Sequence, residues 1–249
     1  MSKTILEAAC LSYNSNLAVY YLLLRSGRFA TYRPSINMPE LLAVPCPDPS
    51  TGLLDGVQRF TDVDQRVRES FHFKEAEWVL VEDALRYTLP DFKGSIDSPG
   101  RLPTRRRQED ESASELHTYC DWFLRVLRAG FGEDKAMCAT IFEEAAGEHL
   151  PVRLVALHLN WPGRRGITVE PMQNSALVER LRRVYRLLVE ETGQGISFRR
   201  IARVFDVLEQ GEERIPTIFI VKLDQARYWS RSIALRDADE VSLEIMQWH

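Results

Sequence analysis

Apolar positions recur at helical spacing from about Ile5, and then change character twice along the chain. Asn14 or Ser15 offers a cap for a second helix, in which Leu17, Tyr20, Tyr21 and Leu24 follow the i, i+3, i+4, i+7 pattern. Leu22 and Leu23 make this helix apolar nearly all round, so it should be buried, and Gly27 suits the position just past its end. The stretch YRPSINMPELLAVPCP then enforces extended or turn backbone through its prolines and blocks any long helix. Trp78 to Val81 reads as a short strand, followed by a short helix to Tyr87.

Residues 94–114 combine Pro, Gly, Ser and dense charge with almost nothing apolar, which predicts a flexible connection. It separates a small helix-plus-extended segment, 1–93, from a second region, 115–249. There Ser112 and Glu115 suggest a capping box, and Leu116, Cys120, Phe123 and Leu127 form one stripe closed by Gly130. Ala136 to Phe142, Val152 to Leu159, Ile167 to Glu170 and Pro216 to Val221 read as strands, and Phe198 to Leu208 leans the same way. Asn174 or Ser175 heads an amphipathic helix with Leu177, Leu181, Val184, Tyr185 and Leu188 on one face. Asp237 with Glu240 is expected to cap a last helix. The fold class is therefore α+β, with a mainly antiparallel sheet and two or three helices in the second region.

Charge narrows the function classes. A net charge of −4 counts against a chain coated in positive potential for nucleic acid. Locally, however, Lys3, Arg25, Arg28 and Arg33 outnumber Glu7 and Glu40 before residue 47. Cys10, Cys46, Cys120 and Cys138 lie far apart with no C-x-x-C pair, which predicts reduced thiols, mostly buried, and neither a disulfide framework nor a zinc site. The longest apolar run, Leu17 to Leu24, is too short to cross a bilayer, and the N-terminus has no secretory pattern, so the expected location is the cytoplasm with no membrane partner.

The run N-S-N-L-A-V-Y-Y-L-L-L-R-S-G-R-F-A-T-Y-R-P, followed by E-L-L-A-V-P-C-P, resembles a known region. It is similar to the end of the target-recognition region of adenine-specific DNA methyltransferases of the Taq type and of related prokaryotic restriction–modification proteins. The features fall on Asn14, Ser15, Tyr20, Tyr21, Ser26, Gly27, Arg28, Arg33, Pro34, Glu40, Leu41, Leu42, Pro45 and Pro47, about a seventh of the chain. The later run PTIFIVKLDQARYWSRSIALRDADEV resembles the C-terminal tail of phage-defence proteins of the same group. Such methyltransferases carry a Gly-rich S-adenosylmethionine loop after a first strand and an Asn-Pro-Pro-aromatic tetrapeptide; neither is found here. That tetrapeptide holds and stacks a flipped adenine, so the chain lacks the means to methylate alone. The resemblance implies a split system: a non-catalytic DNA-recognition or partner subunit, without cofactor, working with a separate methyltransferase catalytic polypeptide on duplex DNA.

On that reading Arg25, Arg28, Tyr32 and Arg33 are the candidate DNA contacts, able to hold phosphates or read guanine edges. The alternative is that Arg25 favours a helix C-terminus and the others pair with acids or line an interface. Tyr20, Tyr21 and Leu24 are the candidate partner interface. Secondary nucleic-acid candidates are Arg182, Arg183 and Arg186 on the amphipathic helix, against a plain solvated face, and Arg227, Tyr228, Trp229 and Arg231 as a base-stacking surface, against core aromatics. Arg105 to Arg107 precede a run of acids and fit a linker better than a phosphate-grasping arm. No metal site is expected: capping explains two of Asp237, Asp239 and Glu240, and Glu133-Asp134-Lys135 is thin support for a nuclease. The rival reading is a structural interaction subunit of a defence complex that never touches DNA.

Overall fold

The computed structural model describes residues 2–26, 28–29, 35–104, 114–132, 135–144, 150–172, 201–210 and 213–247. The chain forms two compact units, residues 1–100 and 101–249, and is α+β as a whole.

The first unit is helical. α1 (Lys3–Tyr13) and α2 (Asn16–Arg25) meet at Ser15, whose hydroxyl accepts from Ala18 N–H and donates to Ser12 O. Ser15, rather than Asn14, is therefore the cap. A short helix, α3 (Met38–Leu42), forms inside the proline-rich stretch, with Pro39 in its first turn and a reciprocal Asn37–Glu40 capping box. α4 (Phe60–Ser70) and α5 (Glu75–Asp83) complete the core, in which Leu11, Leu17, Val67, Trp78 and Val81 are buried together. Asp64 on α4 accepts from both the backbone N–H and the side-chain amide of Asn16, at 2.7 and 2.6 Å, and so fixes the start of α2.

Trp78 to Val81 is helical, not a strand. Glu77 accepts from Lys74 N–H and closes the first turn of α5, and Trp78, Val81 and Leu85 then share one face against the core. The helix widens into a π-turn over Ala84–Thr88, where Leu89 N–H bonds back to Ala84 O. Pro90 lies just beyond; it has no N–H, and its ring would crowd the carbonyl four residues back, so the ladder shifts register here. A last turn, α6 (Leu89–Phe92), follows.

Part of the expected linker is tied into the fold. Ser98 and Gly100 are buried, Leu102 O accepts from Ala226 N–H, and Thr104 bonds Asp224 through both its N–H and its hydroxyl. The division between units falls at Gly100, inside that segment. Residues 105–113, including Arg105 to Arg107, lie outside the described residues.

In the second unit α7 (Glu115–Phe131) is capped by Ser114, which accepts from His117 N–H; Ser112 lies outside the described residues. Its stop is Gly132, at φ 104°, rather than Gly130. The Gly130-Phe131-Gly132 run thus ends a helix instead of following a strand, and a second Gly-x-Gly, Gly193-Gln194-Gly195, lies outside the described residues. The strands β1 (Cys138–Glu143), β2 (Val152–His158), β3 (Gly166–Pro171), β4 (Ala202–Gln210) and β5 (Glu213–Leu223) form one sheet of order β3-β1-β2-β5-β4. All neighbours are antiparallel except β1 and β3. A final helix, α8 (Arg231–Gln247), packs on α7. Two of the cysteines, Cys120 and Cys138, are buried free thiols; Cys10 and Cys46 are exposed, against expectation. Residues 173–200, with the amphipathic arginine helix, lie outside the described residues.

α4 ends in a Schellman motif: Phe73 N–H bonds Arg68 O and His72 N–H bonds Glu69 O, with His72 left-handed at φ 54°. A side chain in that region costs about 1–2 kcal/mol, and glycine's extra unfolded-state entropy gives back about 0.4–1 kcal/mol of that difference. His72→Gly is therefore expected to raise stability by about 0.5–1 kcal/mol, read as a higher urea midpoint at unchanged m-value.

Candidate functional site

Arg25 is the last residue of α2 and Leu24 precedes it; both are exposed. Ser26 ends the helix, donating its N–H to Leu22 O and its hydroxyl to Glu40 Oε2 at 3.1 Å. Glu40 also closes the α3 capping box, so one carboxylate ties the end of α2 to the start of α3. Leu24, Met38 and Leu42 are left 64, 64 and 68 % exposed on these two joined helices. Arg28 is exposed just beyond, while Tyr32 and Arg33 lie outside the described residues.

Of the three candidate interface residues only Leu24 is exposed. Tyr20 packs against the α1–α4–α5 core, and Tyr21 against Ala18, Leu22 and Val44. A helix apolar nearly all round is thus covered on two sides and open on a third.

The candidate base-stacking run in the second unit is not a surface. Trp229 is fully buried, donates Nε1–H to Leu223 O at 2.9 Å, and meets the Tyr119 ring edge-on at 5.0 Å. Tyr228 is half-buried under the Arg227 guanidinium, which is held by Gln225, and Arg231 is half-buried at the start of α8. Arg182, Arg183 and Arg186 lie outside the described residues.

At the centre of this region stands a residue the sequence reading passed over. Lys222, in the middle of the apolar run of β5, is buried, and its ammonium donates to Asp237 Oδ2, to the Tyr119 hydroxyl at 3.2 Å and to Tyr228 O at 3.0 Å. Tyr119 in turn donates to Asp237 at 2.8 Å, and the Tyr119 and Trp229 rings flank the ammonium. Asp237 is therefore not a helix cap: it lies in the interior of α8 as the buried partner of a cation. Burial pulls Lys222 down to about 8, with Asp237 opposing, and burial pushes the Tyr119 hydroxyl well above its ordinary value. Closed off from solvent, the cluster holds structure rather than substrate. The sign legible in sequence was a lone lysine inside Ile-Phe-Ile-Val-Lys-Leu.

A second buried polar chain crosses the opposite face of the sheet. His158 bonds Thr140 through Nε2 and Thr217 through Nδ1, each at 2.9 Å. Thr217 donates to Ile215 O, so it accepts from Nδ1–H, and Thr140 donates to Nε2. Both ring nitrogens are used in the neutral form, and burial lowers the imidazole to about 4.

The first unit also holds a cleft of about 900 Å³ along α4, lined by Asn16, Asp64, Arg68, His72, Trp78 and Glu82 among others. Burial raises Asp64, Glu82 adds to the rise, and the bonds from Asn16 oppose it. Its charge suits neither a phosphate nor a nucleic-acid backbone. Among the described residues no group of three or more His, Cys, Asp or Glu side chains could hold a metal ion, and no helix is long and apolar enough to cross a membrane. Glu133 and Asp134 lie outside the described residues. No family model matches the chain, and no curated protein and no solved structure matches it either.

Two outcomes follow from these clusters. Asp237→Asn leaves Lys222 buried without its counter-charge and is expected to cost about 3–5 kcal/mol, whereas Lys222→Met with Asp237→Leu should recover most of that loss, measured by chemical denaturation. His158 is held below its unfolded value of 6.5, so its contribution is complete above about pH 6.5 and is lost as pH falls toward 4. The slope in that window is at most about 1.4 kcal/mol per pH unit. Stability curves of the native chain and His158→Gln, taken from pH 7 to 4, should differ by that slope.

Proposed function

We propose that this chain is a non-catalytic DNA-recognition or partner subunit of an adenine-specific DNA methyltransferase or restriction–phage-defence system. The observation that carries the reading is that Leu24, Met38 and Leu42 are exposed on the two helices joined by Ser26 and Glu40, with Arg25 and Arg28 exposed in the same segment. Exposed apolar side chains and cations in one segment suit docking to a protein that itself sits on DNA. The separate catalytic polypeptide would cover the leucines, and the arginines would reach the duplex. Cytoplasmic location belongs to the same proposal.

A second reading, a partner subunit without DNA contact, draws on the acid-lined cleft and the net charge of −4. Arg28→Ala with Arg33→Ala separates the two. If DNA is contacted, the complex with a co-expressed methyltransferase subunit loses duplex affinity by about tenfold or more at low salt, with assembly intact. If it is not, gel-shift affinity is unchanged. Leu24→Asp should release the catalytic subunit in either case, and co-purification that survives it overturns the docking face.

A further inference from the structure

β4 is an edge strand: among the described residues its one sheet neighbour is β5, through the register from Ala202 opposite Val221 to Gln210 opposite Glu213. β5 pairs with β2 only over Thr217–Leu223, so Val207–Gln210 and Glu213–Pro216 run on as a two-stranded ribbon. Natural sheets guard such edges, because unpaired N–H and C=O groups form a template for another strand. This edge carries apolar side chains around one exposed acid, Asp206, whose carboxylate accepts from Val207 N–H at 2.8 Å. Val204, Phe205 and Val207 are 55, 48 and 40 % exposed, with Phe205 and Val207 on one face of the strand and Val204 on the other.

The edge is also self-complementary. Laid antiparallel on itself about a two-fold axis at Asp206, Phe205 stands opposite the second copy's Val207, and Val204 opposite the second copy's Leu208. Each of these pairings occurs twice, as a two-fold axis requires. Residues directly opposite share a face, so apolar meets apolar on both faces in one register. Asp206, exposed, meets its own copy at the axis and is the single unfavourable pairing. Next to the edge, α8 holds Arg203 through Glu240 and Glu244 and leaves Leu243 and Met246 exposed.

We infer that two copies of this chain associate through their β4 edges, joining the two five-stranded sheets into one. The interface belongs to the second unit and stands independently of any partner at α2 and α3.

Sedimentation equilibrium of the full chain between about 1 and 200 µM tests it, in the range where edge-strand pairs of this size dissociate. The expected result is a monomer–dimer equilibrium. Val204→Lys and Val207→Lys, both at exposed positions, should each weaken it by about tenfold or more, and Asp206→Asn should tighten it. Hydrogen exchange should show concentration-dependent protection of amides in Arg203–Leu208. A monomer throughout the range overturns the inference. So does a dimer that neither lysine variant weakens, once circular dichroism shows both variants folded.

Discussion

A charge placed in the middle of an apolar strand constrains everything around it. Lys222 lies in β5, between the two strands β2 and β4, and is closed off from water. Taking an ammonium out of water costs several kcal/mol even after relaxation, so each of its three N–H groups needs a partner. The three acceptors come from three different elements: Tyr119 of α7, Asp237 of α8 and the backbone of the turn at Tyr228. One side chain thus sets how both helices and the connecting turn sit on the sheet. Trp229 follows as a consequence, because the turn that offers Tyr228 O also drives the next ring against Tyr119.

How much of this was legible in sequence depended on whether the deciding force was local. Short runs rich in β-branched and apolar residues located β1, β2, β3 and β5, and an apolar stripe at helical spacing located α7, each to within a few residues, because burial is written directly into the order of residues. Local chemistry could also mislead. Trp78-Val79-Leu80-Val81 is β-rich by composition, yet Lys74 and Glu77 start a helix one turn earlier, and the core takes Trp78 and Val81 on one face. Asp237 and Glu240 had the spacing of a cap, whereas the helix begins at Arg231 because Ser230 precedes it, with a hydroxyl facing Ile233 N–H. The Lys222–Asp237–Tyr119 cluster joins residues 103 and 15 positions from the lysine, and no window of sequence holds all three. Thr104 on Asp224 is the same case: a segment polar by composition is fixed by a bond spanning 120 residues.

The segment that carries the family resemblance divides into two kinds of residue. Ser15 caps α2, Ser26 and Glu40 join α2 to α3, Pro45 O accepts from Ser12, and Leu22 packs on Val44. These hold a local unit in shape, and any protein using this helix–turn–helix shape has reason to keep them. Leu24, Arg25 and Arg28 are exposed. A resemblance confined to the first kind speaks of local architecture alone. Of the matched positions, Asn14, Arg28 and Leu42 are exposed, and the proposal of a shared partner, and through it of DNA, rests on that second kind.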